Sequence, residues 1–352
     1  MPATMETDFQ TQERTRLRAK YIQAVSDLTK TLKSQPQAAY RSDELDVLRV
    51  SLGSFDPNDQ KFLDSSACLF KPLSSRESEK YTLVESDFDE IGLRSYKRFD
   101  EAYDSVTKEK GVTNPSPGYI MSKRANLISS HLDFLYYHSR KKIRKNLVSF
   151  YEVSGWVHIK YGNSFLDGAR GLLSGDLIGL PYRLPDWRTV HMREWWKDED
   201  ASAPAYPHMM LIICSGAEAK ENELLIGELG PIAQAIENRL EQAEFEETSL
   251  FPIMAISLFG PRHGRLLQAK FNKSGVLKIR ASPIYSFRYK AEAPFDLFLR
   301  YLACEPRHGA EYEFYSDEED APMAPEYVSP PPGADKENVS PKQGDTPSAE
   351  EQ

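Results

Sequence analysis

Residues 252–281 read PIMAISLFGPRHGRLLQAKFNKSGVLKIRA, and this stretch decides the fold class. The segment 252–259 (PIMAISLF) is apolar and of strand length. It is broken by Gly260-Pro261-Arg262-His263-Gly264, resumes as 265–271 (RLLQAKF), turns at Asn272-Lys273-Ser274-Gly275 and resumes again as 276–281 (VLKIRA). Connections this short join only antiparallel neighbours, so the spacing predicts a three-strand meander.

Upstream, 209–214 (MMLIIC) reads as a strand buried on both faces, and 224–243 reads as a helix. Pro231 either kinks that helix or opens its first turn. Downstream, 294–302 (PFDLFLRYL) is a compact closing helix. In the first half, Leu17, Tyr21, Val25, Leu28 and Leu32 recur at helical spacing within 12–33. Packing of that face on the chain's own core is the ordinary outcome, with a coiled-coil or partner face as the alternative. Further helices are expected over 86–109 and 119–147, separated by the breaker-rich loop 111–118 (GVTNPSPG). Residues 150–160 alternate like a strand, and 163–205 read as a loop rich in Gly, Pro and aromatics. Helices first, then strands with one helix between them, then a helix, predict an α+β fold with one mixed sheet. The expected boundaries are a flexible 1–11, a helical 12–149 continuous with an α+β 150–309, and a disordered acidic tail 310–352.

The tail rests on composition. Residues 310–352 carry twelve acids and two bases, so the whole-chain charge of −9 leaves residues 1–309 near +1. The tail holds an acid run, Ser316-Asp317-Glu318-Glu319-Asp320, and scarcely a large apolar residue after Val328. Such a segment buries too little surface to offset the entropy of ordering. A near-neutral folded part argues against a broad nucleic-acid-binding surface. No apolar run reaches the roughly 20 residues of a membrane span. The three cysteines, Cys68, Cys214 and Cys304, are odd in number and set among apolar residues, the pattern of buried free thiols in a reducing cytosol or nucleus.

Chemistry-bearing motifs are sparse. Residues 162–179 are glycine-rich but match neither dinucleotide nor P-loop spacing, and no zinc, metalloprotease or nucleophile-elbow pattern occurs. Neither cofactor nor metal is expected. Arg262, His263 and Arg265 on the first hairpin loop form a candidate anion site, because backbone amides beside guanidiniums suit phosphate or carboxylate. The alternative is that Gly260 and Gly264 make a tight turn and the side chains bridge nearby backbone. The basic run Arg140-Lys141-Lys142-Ile143-Arg144-Lys145 reads as a localisation element, a phosphate contact or cations favoured by a helix C-terminus. In the tail, Lys336-Glu337-Asn338 resembles a KEN-box degron read by the anaphase-promoting complex, with Pro341 just downstream. Ser329, Ser340 and Thr346 precede proline, and Ser316 precedes acids; these four are the phosphorylation candidates, each adding about −2 of charge.

Two resemblances complete the reading. His208-Met209-Met210, Gly227-Glu228-Leu229, 259–265 (FGPRHGR), Gln268-Ala269 and 294–298 (PFDLF) resemble a large family of uncharacterised proteins of filamentous fungi, over about 208–305. No established activity comes with that likeness. The order helix, three-strand meander, helix is also similar to the core of PD-(D/E)xK nucleases, in which a helix Glu, a strand Asp and a (D/E)xK bind Mg²⁺. Glu228 would stand in for the helix Glu. The strand positions depart from the pattern: 265–271 hold no carboxylate, and Lys278 has no acid two residues before it. These readings converge on a non-enzymatic interaction or regulatory protein with an unidentified protein partner. The alternative is a diverged nuclease drawing carboxylates from elsewhere, such as Glu85, Asp87 or Asp176.

Overall fold

The meander is present, at the centre of an eight-stranded mixed sheet. A computed structural model describes residues 3–83, 96–101, 116–160, 163–168, 170–175, 186–196, 204–309 and 312–313, with side chains from residue 9. The strands are β1 (Val50–Ser54), β2 (Trp156–His158), β3 (Trp187–Trp195), β4 (Met209–Ser215), β5 (Ile253–Phe259), β6 (His263–Phe271) and β7 (Leu277–Ala281). They lie in the order β1-β7-β6-β5-β4-β3-β2, and Tyr285–Ser286 adds a short pairing to β6. All neighbours are antiparallel except β4 with β5 and β7 with β1.

Four helices cover the two faces: α1 (Ala3–Ser34), α2 (Pro117–His138), α3 (Ile226–Leu240) and α4 (Phe295–Leu302). Strand periodicity sorts the sheet's side chains. Met209, Leu211 and Ile213 of β4 pack with α1 and α3, whereas Met210, Ile212 and Cys214 pack with α2 and α4. Burial on both sides is why β4 and β5 are apolar without alternation. The predicted face of α1 (Leu17, Tyr21, Val25, Leu28, Leu32) is spent on this core, with Tyr21 stacked on Phe271 at 5.1 Å. Arg18 from α1 donates to the carbonyls of Leu240, Phe245 and Thr248, satisfying acceptors at and beyond the end of α3.

Several expectations are corrected. The helix read over 119–147 stops at His138, and the chain turns into a hairpin, Ser139–Ile143 with Asn146–Ser149. The basic run therefore lies on a hairpin whose turn holds Arg144 at φ 55°, and the helix-dipole explanation falls. The strand read over 150–160 opens as a helical turn, Phe150–Val153, because Ser149 and Glu152 form a reciprocal capping box that outweighs the alternation. The loop read over 163–205 contains β3. Its sequence, WRTVHMREW, hides a strand because Arg193 and Glu194 are buried as ion pairs and look like surface residues on paper. At the N-terminus, read as flexible over 1–11, α1 begins at Ala3.

The fold also runs past the expected tail boundary at 310. The Glu313 carboxylate accepts from Arg14 at 3.1 Å and from the N–H and hydroxyl of Ser249 at 2.7 Å each. The rest of the tail, and all of the helix read over 86–109 except 96–101, lie outside the described residues.

Candidate functional site

Glu228, the carboxylate the nuclease alternative requires, sits in the first turn of α3. Its Oε2 accepts the Leu225 N–H at 2.9 Å, capping the helix. Arg265, next but one along β6 from its first residue, reaches across and donates Nε to Oε1 at 2.8 Å and Nη2 to Oε2 at 2.5 Å. Two further guanidinium N–H groups go to the carbonyls of Lys220 and Glu223 at 3.2 and 2.8 Å. Both side chains are 0% exposed. A carboxylate held bidentate by a guanidinium and by its own helix N-terminus has little lone-pair capacity left for a divalent ion. Among the described residues no group of three or more His, Cys, Asp or Glu side chains is placed to hold a metal. Glu85, Asp87 and Asp176 lie outside the described residues.

The anion site expected at Arg262, His263 and Arg265 is not assembled. Arg262 is buried, donates to the Phe99 carbonyl at 2.7 Å and to the Arg288 carbonyl at 3.3 Å, and lies 4.1 Å above the Phe99 ring. Its φ of 140° turns its backbone away from ordinary strand geometry at the hairpin. With Arg265 committed to Glu228, His263 alone is partly exposed, its ring stacked 6.4 Å from Phe259. The two arginines serve as internal braces. The bridging alternative is what forms.

Sequence reading missed a polar cluster where α2 meets β2 and β3. Asp133 on α2 pairs with His191 Nε2 at 2.6 Å and with Arg193 Nη2 at 3.2 Å. The Arg193 guanidinium lies 4.5 Å over the Tyr136 ring. Tyr137 Oη meets His158 Nε2 at 2.9 Å, and the His158 and His191 rings are 5.0 Å apart. Burial, then the Arg193 and His191 charges, push the His158 pKa down to about 4. An Asp–His pair needs a nucleophile to work on. Of the nearby hydroxyls, that of Tyr137 has its pKa raised by burial, and those of Ser154 and Tyr136 are bonded to each other. Cys214, on the same face, has its thiol pushed up to about 12 by burial, the opposite of an activated thiolate. The one sequence signal was His191-x-Arg193, two residues on one strand face; nothing linked it to Asp133.

A cleft of about 810 Å³ opens at the carboxyl end of β4. Asp186, just before β3, and Arg188 within it line the cleft with Gly216, Ala217 and Glu218 beyond β4 and the first turns of α2. Its depth is set by close backbone packing: a Cβ on Gly216 would fall 2.5 Å from the Gly118 carbonyl oxygen, and one on Gly260 2.5 Å from Met121. Those two glycines let α2 start directly against the strand ends. The carboxyl edge of an open α/β sheet is the ordinary place for a ligand. Lining groups of both signs, Lys123 and Arg188 against Asp186 and Glu218, suit a polar surface of mixed charge. The described lining includes no histidine or cysteine.

The degron-like Lys336, Glu337 and Asn338, and the phosphorylation candidates Ser316, Ser329, Ser340 and Thr346, lie outside the described residues. Compared with known proteins, the chain matches no protein-family model, no curated protein and no solved structure. Among the described residues, no helix is long and apolar enough to cross a membrane.

Proposed function

We propose that this chain is a non-catalytic interaction protein of the cytoplasm or nucleus, in which the position that serves catalysis in nuclease-like folds has become a buried brace. One observation carries the reading: Glu228, the residue the nuclease alternative needs, is fully buried and bidentate to Arg265. Freeing it for Mg²⁺ would strand a buried guanidinium, a change that costs several kcal/mol. The resemblance over 208–305 fits this account, because Glu228, Arg262 and Arg265 lie in its motifs and all three build the core. The test is hydrolysis of single- and double-stranded DNA and RNA by the full chain in Mg²⁺ or Mn²⁺. The expected rate equals that of Glu228→Gln; turnover that the substitution abolishes would overturn the proposal.

Regulation is assigned to the tail on its sequence alone. A KEN-like triplet followed by a phosphorylatable Ser340-Pro341 suits an accessible degron whose charge changes on modification. In a reconstituted ubiquitin-transfer reaction with the anaphase-promoting complex, replacing Lys336, Glu337 and Asn338 by alanine is expected to abolish modification. Equal modification of both proteins would remove this part of the reading.

A further inference from the structure

The hairpin that follows α2 carries charge that the described fold does not balance. Its strands, Ser139–Ile143 and Asn146–Ser149, set Lys142 opposite Leu147 and Ile143 opposite Asn146, and all of 142–147 is exposed. Lys141 is neutralised: it pairs with Glu77 and lies 4.9 Å over the Tyr81 ring. Lys142, Arg144 and Lys145 have no ion pair with any described residue. The segment 139–149 (SRKKIRKNLVS) holds no acid of its own. Three cations crowded on one turn repel one another. Ile143 and Leu147, both large, apolar and exposed, share the turn with them.

The chain itself brings the opposite charge to this end of the sheet. α2 starts at the carboxyl ends of β4 and β5, where Gly118 meets Gly216 and Met121 meets Gly260. Its last turns lie at the opposite end, since Asp133 bonds Arg193, the register partner of Met210 near the start of β4. Glu313 is fixed at that same end. It holds Ser249, four positions before β5 begins at Ile253, and the Met209 N–H at the start of β4 donates to the Pro252 carbonyl. Beyond Glu313 the sequence reads Phe314-Tyr315-Ser316-Asp317-Glu318-Glu319-Asp320, four consecutive acids just after two aromatics. An extended chain carries those acids at most about 14–25 Å from the anchor, the larger figure being about the length of β4. A segment tethered this closely meets its site at an effective concentration of about 1 mM, so weak ion pairs suffice to hold it. A separate acidic partner has to displace it first.

We propose that the acid run 317–320 docks on the turn 142–145 of its own chain, with Phe314 and Tyr315 covering Ile143 and Leu147. Four carboxylates then face the three cations that the described fold leaves unpaired. An outside anion reaches the turn only when the run has left it, so the tail is a built-in competitor for this surface. The contact is exposed and electrostatic, and it weakens as salt rises. Neither Glu228 nor the degron-like triplet takes part, so this contact stands apart from the function proposed above.

The test is zero-length cross-linking of the full chain with a carbodiimide, which joins a lysine amine to a carboxylate as an amide when the two touch. In dilute protein at low salt, the expected products are intrachain links from Lys142 and Lys145 to residues within 317–320. Those links are expected to vanish at about 1 M salt, where charges are screened within about 3 Å. The second readout is tryptic cleavage within 142–145. Asp317→Asn, Glu318→Gln, Glu319→Gln and Asp320→Asn together leave the hairpin sequence intact. They are expected to speed that cleavage about fivefold, the access regained when a mostly closed contact opens. The same exchange at Asp335, Glu337 and Asp345 is expected to leave the rate unchanged. Links that form only between molecules, equal cleavage of the parent and the run variant, or an equal effect of the distal exchange each overturns the proposal. Cleavage indifferent to the run but slowed by phosphatidylserine vesicles also overturns it, and assigns the turn to a membrane surface.

Discussion

Arg265→Ala is expected to lose about 3–5 kcal/mol of folding free energy, because it leaves the Glu228 carboxylate buried without its counter-ion. That is a large share of the roughly 5–15 kcal/mol that holds a domain folded. The substitution also strips donors from the Lys220 and Glu223 carbonyls, loosening the chain that leads into α3. The double substitution Glu228→Gln with Arg265→Met is expected to recover most of the loss. It removes both charges and keeps an acceptor for the Leu225 N–H. Urea unfolding of the native chain, Glu228→Gln, Arg265→Met and the double substitution, read as a double-mutant cycle, should give a coupling approaching about 3 kcal/mol. A loss below about 1 kcal/mol for Arg265→Ala would show that water reaches the pair and that the site is less closed than its geometry indicates.

The second large effect is acid lability from buried neutral histidines. His131 lies among aromatic rings, stacked on Tyr96 at 4.9 Å and 4.6 Å from Phe295, with Lys290 and Arg262 nearby. Burial chiefly, and then those two cations, push its pKa down to about 3. His208 is wholly buried, donates Nε2–H to the Arg307 carbonyl at 2.9 Å, and is pushed down to about 3 by the same cause. At pH 7 both are neutral in the folded and unfolded chain, and neither contributes to the difference. As pH falls below about 6.5 the unfolded chain takes up a proton at each site and the folded chain does not, so stability is lost. The slope is about 1.4 kcal/mol per pH unit for each histidine, or about 2.7 for the two together. Between about pH 6.5 and 5 unperturbed carboxylates stay ionised in both states, and the histidines dominate the slope. His158, more exposed, adds a smaller share.

His131→Phe separates this account from general acid sensitivity. Among the described residues the His131 Nε2 has no hydrogen-bond partner, so a phenyl ring strands none of them and keeps the aromatic contacts. Unfolding free energies measured at half-unit intervals should show about half the native slope over that window. An unchanged slope would mean that His131 titrates normally in the folded protein.

Helices and strands with a strong apolar period were legible in the chain. The meander, β4, α3, α4 and the buried face of α1 all follow from which residues avoid water, and burial on two faces is written as an unbroken apolar run. β3 was not legible, because its interior residues include Arg193 and Glu194. Their burial is tolerable only through Asp133, sixty positions from Arg193, and Arg239, forty-five from Glu194. The turn at 150–153 was lost to a capping box that local alternation masks. The candidate residues were found in part. Glu228 was read as a nuclease-like carboxylate and Arg262 and Arg265 as an anion site, yet all three are bonded within the protein, to partners that spacing along the chain does not show.

By itself, the sequence determined the fold class, the three-strand meander and the burial of the cysteines, since these depend on local apolar pattern and solvent avoidance. Only the tertiary structure decided what the charged residues do. An arginine reads the same whether it faces a phosphate or a carboxylate of its own chain. The difference lies in a few ångströms of geometry between distant parts of the chain, which brought Arg265 onto Glu228.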